Sequence, residues 1–176
     1  SHMRRACPDA KKVLVVYGSG SVVRSGVLAS VTQSCRDAGF EVIEKGGVHP
    51  NPSVEFVREC IDLARSEGVD LILAAGGGSV IDTAKAAAMG VPYAGDVWDF
   101  FCGKAQPEKA LPVCCVLTIP AAGSEQSVRV VISNGHVKAA CGNGVVRPKV
   151  SAINPEIFFT LPQRQMSAGV IDMMSH

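Results

Sequence analysis

The sequence predicts an α/β fold in which an open parallel sheet is flanked by helices. Short apolar runs rich in β-branched residues recur along the chain and are typical of strands buried on both faces. Segments with helical periodicity separate these runs, giving the order β-α-β-α-β-α-β. Two glycine-rich turns, Gly18–Ser21 and Gly76–Ser79, lie at strand-to-helix junctions, where sheets of this class bind their ligands.

The first half of the chain alternates strands and helices. Ser53 is a typical N-cap and Gly68 a typical helix stop, so together they bound one helix. Gly46-Gly47 predicts that the chain breaks soon after the second strand. The predicted elements are a strand over 11–17, a helix over 22–38, a strand over 40–43 and a helix over 54–66.

The second half ends in a helix and contains a predicted hairpin. Asn134-Gly135 stands between two alternating runs, which is a strong signal for a two-residue hairpin turn. The predicted elements are a strand over 70–75, a helix over 80–89, a loop over 91–111, a strand over 113–118, hairpin strands over 127–133 and 137–141, a strand over 150–153 and a helix over 163–176.

The charge balance argues against two classes of partner. The 176 residues contain 17 Lys or Arg and 16 Asp or Glu, a formal net charge of +1. Without a basic excess, binding to nucleic acid or to a membrane surface is not expected. Apolar residues make up 47% of the chain, enough for a packed core. No apolar run approaches the roughly 20 residues that span a bilayer.

The N terminus and the cysteines favour a cytoplasmic protein. Ser1-His2-Met3 is interpreted as the remnant of an expression tag (residues 1–3), and no signal-peptide pattern follows it. The seven cysteines are odd in number and form no Cys-x-x-Cys pair, which argues against a disulfide framework and a zinc ribbon. We therefore expect reduced thiols and a cytoplasmic location.

The two glycine turns are the main candidates for a phosphate site. Glycine lets the backbone approach a ligand closely, and the following helix offers free N–H groups and the positive end of its dipole. Gly76–Ser79 favours phosphate contact, whereas Gly18–Ser21 lacks the full G-x-G-x-x-G pattern and is equally consistent with a tight turn. Asp82 is interpreted as a carboxylate that caps the next helix, which also carries Lys85.

The last predicted helix carries a carboxylate and an imidazole on one face. Asp172 and His176 are spaced i, i+4, so this pair could chelate Fe, Zn or Mn. A surface ion pair is the alternative, and a metal site needs more ligands than two. His49 and His136 lie far away along the chain, and nothing in their spacing ties them to this pair.

Together, these motifs resemble the iron-containing (group III) alcohol dehydrogenase family over nearly the whole chain. Gly76–Lys85 is similar to the glycine-rich cofactor signature of that family, and Thr118–Glu125 to its second signature. Asn154–Pro162 resembles the entry to its helical domain, and Gly169–His176 the start of its metal-binding helix. The blocks that most resemble the branch of NADPH-dependent butanol dehydrogenases and aldehyde reductases are Gly47–Pro52 and Val97–Phe100.

The resemblance implies an enzyme that interconverts primary alcohols and aldehydes by hydride transfer with NAD(P). Residues 4–153 would form a Rossmann-like dinucleotide-binding domain, and residues 154–176 the first helix of an all-helical domain. Asp172 and His176 would bind Fe²⁺, with Zn²⁺ as the alternative, so that the metal polarises the alcohol or carbonyl oxygen. The residues that the resemblance assigns to the cofactor are Gly18, Gly20, Ser21, Gly77, Gly78, Ser79, Asp99, Thr118, Ser124 and Lys138.

The first glycine turn favours NADP over NAD. An acidic residue after the first strand of such a sheet binds a ribose 2′-hydroxyl and repels a 2′-phosphate. Residues 18–25 contain no acid but include Ser19, Ser21 and Arg24. We therefore predict NADP as the preferred cofactor.

Departures from the family limit what this chain is expected to do. Family members are much longer, with an extra strand pair before the first strand and further histidine ligands beyond the position of His176. Ala121 and Ala122 stand where threonines are common, and Asn154 where an acid is common. We expect the chain to bind dinucleotide and to be inactive alone. We also expect apolar residues of the last helix to be exposed unless a homodimer or a missing C-terminal half covers them.

Two other interpretations remain open at this point. The chain could be a glycerol-dehydrogenase-like or dehydroquinate-synthase-like member of the same superfamily. It could also be a non-enzymatic fragment that binds a nucleotide or a protein partner.

Overall fold

The computed structural model describes residues 2–159 and 163–175, which contain seven strands, eight α-helices and a 3-10 helix over Gly144–Val146. The strands are β1 (Lys12–Gly18), β2 (Glu41–Val48), β3 (Leu71–Gly76), β4 (Val113–Leu117), β5 (Arg129–Asn134), β6 (Val137–Gly142) and β7 (Val150–Ile153). The helices are α1 (His2–Ala6), α2 (Ser21–Arg24), α3 (Val27–Asp37), α4 (Val54–Glu67), α5 (Gly78–Gly90), α6 (Trp98–Phe101), α7 (Pro155–Phe158) and α8 (Gln163–Ser175).

Five parallel strands form the central sheet in the order β2-β1-β3-β4-β7, which confirms the predicted α/β fold. β1 pairs with β2 on one side and with β3 on the other, so the chain leaves β1 towards one edge and later returns to build the opposite half. The point between β1 and β3 is therefore a topological switch point, where ligands bind outside the carboxyl ends of the strands.

Helices cover both faces of the sheet because successive side chains of a strand point to opposite sides. Leu14 and Ile72 contribute to the core that lies against α4 and α5. Val13 and Leu71 contribute to the core on the other face, against α1 and α3. β3 is buried at every position, as expected for a central strand with helices on both faces.

The strands β5 and β6 form a separate antiparallel hairpin that packs on α5. The predicted turn is confirmed, with Gly135 at a positive φ of 55°. Ser133 near the hairpin tip donates its backbone N–H to the carbonyl oxygen of Pro52 at 2.9 Å. Because Pro52 lies in the loop after β2, the hairpin tip reaches the carboxyl edge of the sheet.

Two predicted boundaries in the first half are wrong. Gly26, at a φ of 76°, divides the helix predicted over 22–38 into α2 and α3. The chain does not break at Gly46-Gly47, because pairing with β1 carries β2 on to Val48. A register shift between Tyr17 and Gly18 accommodates the extra residue.

Three short α-helices were not predicted from the sequence. α1 is fixed by Arg4, whose guanidinium donates to the carbonyl oxygen of Ala38 and lies 3.9 Å from the centre of the Phe40 ring. α6 interrupts the predicted loop over 91–111, and α7 follows Asn154, whose side chain accepts from the N–H of Glu156. The interpretation of residues 1–3 as a tag remnant stays a prediction, although His2 begins α1.

The last helix exposes the apolar surface that the sequence predicts for it. Val170 is 44% exposed, Met173 45% and Met174 83%. No helix within the described ranges is both long and apolar enough to cross a bilayer. All seven cysteines are free thiols, and five of them are buried.

Candidate functional site

The two glycine turns lie side by side at the carboxyl edge of the sheet. Tyr17 of β1 is paired with Ala75 of β3, so the turns that follow, Gly18–Ser21 and Gly76–Ser79, leave neighbouring strands next to each other. Each turn leads into a helix, α2 in the first case and α5 in the second. The fold thus brings the predicted glycine residues to both sides of the switch point between β1 and β3.

The second turn leaves the N-terminus of α5 open. Gly77 is the N-cap of α5, and no side chain among the described residues caps this helix. A Cβ atom at Gly78 would meet nothing within 4 Å, while one at Gly77 would lie 3.6 Å from Ile119. The backbone N–H groups of Gly78 and Ser79, at the start of a 13-residue helix, therefore have no side-chain cap among the described residues, and there is open space beside Gly78.

The first turn lies beneath an arginine side chain. Gly20 is the N-cap of α2, and its carbonyl oxygen accepts the N–H of Arg24 at 3.0 Å. The Arg24 guanidinium folds back over this turn, because a Cβ atom placed on Gly20 would lie 2.6 Å from Nη1. Both Ser21 and Arg24 are exposed, so the turn combines an accessible hydroxyl with an accessible cation.

Thr118 lies at the start of the loop that follows β4, next to the second glycine turn. Its backbone N–H donates to the carbonyl oxygen of Gly76 at 3.1 Å, and the residue is 8% exposed. Thr118 is thus brought to the same edge as Gly77 and Gly78. The loop from Thr118 to Val128 has turns and bends but no helix or strand of its own.

Ser124, a second residue of this loop that the resemblance assigns to the cofactor, lies against Asp82. It is 9% exposed, and its hydroxyl donates to a carboxylate oxygen of Asp82 at 2.6 Å. Asp82 also accepts the backbone N–H of Val131 at 3.1 Å, so it joins the loop and β5 rather than capping its own helix. Burial raises the pKa of Asp82, while the hydrogen bonds from Ser124 and Val131 oppose that rise.

Lys85, for which the sequence predicted no role, is completely buried beside Asp82. Its ammonium donates to the carbonyl oxygens of Ser124 at 2.6 Å, Ser127 at 2.9 Å and Arg129 at 3.2 Å. Burial lowers the pKa of Lys85, and the nearby carboxylate of Asp82 acts in the opposite direction. Two charged residues on an otherwise apolar helix were the sequence signal for this buried network.

The other two cofactor candidates lie apart from the glycine turns or on the surface. Asp99 is on α6, where it accepts from the Tyr93 hydroxyl at 3.3 Å. This region follows the C-terminal end of α5, and 13 residues of helix, about 20 Å, separate it from Gly77. Lys138 lies near the hairpin tip, where it donates to Asn51 at 3.0 Å. The structure therefore does not bring Asp99 to the turns, and it places Lys138 beside the loop after β2.

Asp172, one of the two candidate metal ligands, lies on α8, which contacts the loop after β4 where Gly169 meets Pro120. Asp172 is partly buried, and His176 lies outside the described residues. Within the described ranges, no group of three or more His, Cys, Asp or Glu side chains could hold a metal ion. The described donor set therefore does not fit a metal by itself.

Comparisons with known proteins agree on one family. Residues 1–155 match the family model described as iron-containing alcohol dehydrogenase. The chain is 46% identical over 168 residues to the probable NADH-dependent butanol dehydrogenase 2 of Bacillus subtilis. It is 38% identical over 179 residues to the NADPH-dependent aldehyde reductase YqhD of Escherichia coli. The crystal structure of NADH-dependent butanol dehydrogenase A from Thermotoga maritima superposes with a TM-score of 0.95 at 44% identity.

The chain spans less than half the length of these relatives. The alignments cover 94% of this chain and 43% of the Bacillus protein, and 99% of this chain and 46% of the Escherichia protein. The Thermotoga structure is matched over 99% of this chain and 44% of its own length. The shared region contains both glycine turns and the switch point between them.

Proposed function

The chain belongs to the iron-containing alcohol dehydrogenase family, and from this premise we propose that it binds a nicotinamide dinucleotide across the carboxyl edge of its sheet. The observation that carries the proposal is the adjacency of the two glycine turns at the switch point between β1 and β3. Open α/β sheets bind nucleotides in this crevice, because the strand ends and helix N-termini converge there.

The pyrophosphate would bind at the N-terminus of α5. Gly77, Gly78 and Ser79 offer backbone N–H groups that no side chain of the described residues caps. The space above Gly78 is open, so phosphate oxygens could approach the backbone as closely as hydrogen bonding requires. Gly18, Gly20 and Ser21, in the neighbouring turn, would then lie beside the adenosine ribose.

The preferred cofactor would be NADP(H). Arg24 holds its guanidinium over the first glycine turn, beside which the adenosine ribose would lie, and Ser21 is exposed in the same turn. A guanidinium suits a 2′-phosphate because it donates several hydrogen bonds in one plane. The relatives include both NADH-dependent and NADPH-dependent enzymes, so this preference rests on the residues of this chain.

The reaction served by this cofactor would be the interconversion of an alcohol and its aldehyde. The names of the relatives, butanol dehydrogenases and an aldehyde reductase, support this class over the glycerol-dehydrogenase-like and dehydroquinate-synthase-like alternatives. A family metal would polarise the reacting oxygen. Because the described donors do not make a metal site, we propose that the 176-residue chain does not turn over alcohol alone.

Titration of the chain with NADPH and NADH, followed by nicotinamide fluorescence or calorimetry, tests the binding proposal. We expect saturable binding, tighter for NADPH. Gly78→Asp places a carboxylate at the helix N-terminus, which favours the fold but repels phosphate, so binding should be lost while Tm is kept. Gly78→Ala is the neutral control and should bind more tightly than Gly78→Asp. Equal binding by these two variants would contradict the placement of the phosphate.

The proposal of inactivity is tested separately from binding. The chain is mixed with NADPH, butyraldehyde and either Fe²⁺ or Zn²⁺, and the nicotinamide absorbance is followed. We expect no decrease above the rate without protein. Sustained oxidation of NADPH that depends on both metal and aldehyde would overturn this part of the proposal.

A further inference from the structure

The buried ammonium of Lys85 organises the loop between β4 and β5. Besides the three carbonyl oxygens of Ser124, Ser127 and Arg129, it lies 3.3 Å from the hydroxyl oxygens of both serines. All these acceptors belong to one short segment, residues 124–129, which runs from the end of the loop into β5. Backbone carbonyls that converge on a single buried cation hold that segment in one conformation.

Asp82 fixes the same segment from one helical turn earlier. Its two carboxylate oxygens accept from Ser124 Oγ and from the backbone N–H of Val131. Residues three apart lie on the same face of a helix, so Asp82 and Lys85 act together. The pair therefore attaches the loop and the start of β5 to one face of α5.

The other end of this loop is attached to the glycine turn. Thr118 donates to the carbonyl oxygen of Gly76, and Ile119 lies against the position where a Cβ of Gly77 would stand. The N-terminus of α5 thus forms one wall of the cleft, and the loop after β4 forms another. One helix carries the first wall and, through Asp82 and Lys85, positions the second.

We propose that Lys85, supported by Asp82, is a positioning residue that sets dinucleotide affinity by holding the loop from Thr118 to Val128 against the glycine turn. The inference rests on the proposed function, since it concerns the same cleft. Lys85 itself is fully buried, so it would act on the cleft through the segment that it binds. Its effect is preorganisation, which reduces the ordering required when the cofactor binds.

Lys85→Ala, combined with chemical rescue, tests the role of the ammonium. NADPH affinity should fall about tenfold or more, the scale expected from losing hydrogen bonds to a buried charge. Adding n-propylammonium, which replaces the deleted methylenes and ammonium, should raise the NADPH affinity of the variant several-fold. Addition of 1-propanol, which fills the space without a charge, should not. The parent chain, titrated with the same additives, controls for effects of the amine on the ligand.

A second variant applies if Lys85→Ala does not fold. Asp82→Asn keeps the shape of the side chain but removes the charge and one acceptor, so NADPH affinity should fall several-fold with circular dichroism unchanged. Hydrogen exchange of the amides over 118–128 should accelerate in either variant.

The outcomes separate the inference from the function on which it rests. A parent chain that binds neither nucleotide overturns the proposed function, and this inference with it. A parent chain that binds, together with folded variants that bind within twofold of it, overturns the inference alone. A loss of affinity in Lys85→Ala that 1-propanol restores as well as n-propylammonium also overturns it, because volume and not charge would then be the cause.

Discussion

The backbone of Gly169 in α8 lies directly against the carbonyl oxygen of Pro120, in the loop after β4. A Cβ atom added at Gly169 would overlap that oxygen, and a backbone carbonyl cannot move away as a flexible side chain can. The absence of a side chain at Gly169 thus permits α8 to lie on the carboxyl edge of the sheet. Asp172, on the same helix, is placed near this edge by that contact.

Gly169→Ala should loosen α8 from the loop. In an isolated helix, alanine would be more stable than glycine by about 1 kcal/mol. In this protein the clash with Pro120 should instead make docked α8 less stable. Hydrogen exchange of the α8 amides should become faster than in the parent chain. Ser167→Ala, at an exposed position of the same helix, is the control that raises helix propensity without a clash, and it should not speed exchange. Slower exchange in Gly169→Ala would show that the contact does not limit the docking of α8.

Two adjacent glycines should respond to alanine in different ways. A Cβ at Gly76 would overlap the side chain of Val80. Because this side chain is β-branched and has little freedom to rotate, Gly76→Ala should lower the stability of the fold by about 1–3 kcal/mol. A Cβ at Gly77 would make only an ordinary contact with Ile119. Gly77→Ala should therefore keep the parent Tm. It should bind NADPH about tenfold more weakly, equivalent to about 1.4 kcal/mol, because glycine is the residue that lets the backbone approach a phosphate most closely. Thermal melts and nucleotide titrations of both variants check this contrast, and a reversal of the two effects would contradict it.

Arg24→Gln should reduce the preference for NADPH. The substitution removes the cation that lies over Gly20 and keeps much of the side-chain length. NADPH affinity should fall about tenfold, the lower end of the range for a hydrogen bond to a charged group, with NADH affinity unchanged. The control is Arg36→Gln, which removes an exposed arginine of α3 that pairs with Glu44. An equal loss for both nucleotides would indicate that Arg24 does not bind the 2′-phosphate.

Three thiols, two of them buried and one partly buried, should make the fold less stable at alkaline pH. Burial raises the pKa of Cys60 and of Cys114 to about 12, and that of Cys141 to about 11, from an ordinary value of 9.0. The unfolded chain therefore releases these protons first, and stability is lost as the pH rises above 9. Each thiol contributes a slope of up to about 1.4 kcal/mol per pH unit.

Urea unfolding between pH 8 and pH 11 measures this slope. Cys60→Ala should be less stable overall but should show a shallower decline with pH than the parent. Cys102→Ser, at an exposed cysteine, is the matched control and should leave the slope unchanged. A slope in Cys60→Ala as steep as in the parent would contradict the assignment.

Local patterns predicted the elements that depend on neighbouring residues. Ser53 accepts the N–H of Phe56 at 3.3 Å and Gly68 closes α4 with a φ of 64°, so both predicted helix limits are confirmed. The elements that were missed depend on distant partners. α1 is held by the contact of Arg4 with Ala38, 34 residues away, and β2 extends because β1 pairs with it.

The glycine turns were predicted from sequence, but their adjacency comes from strand order. Periodicity, caps and glycine positions determined by themselves that this chain forms a parallel α/β sheet with glycine-rich turns at two strand-to-helix junctions. Only the tertiary structure decided that Asp82 binds Ser124, 42 residues away, instead of capping α5, and that Lys85 binds the same residue, 39 residues away. The physical reason is that burial removes water from these charges, so they are stable only where the folded chain supplies their hydrogen-bond partners.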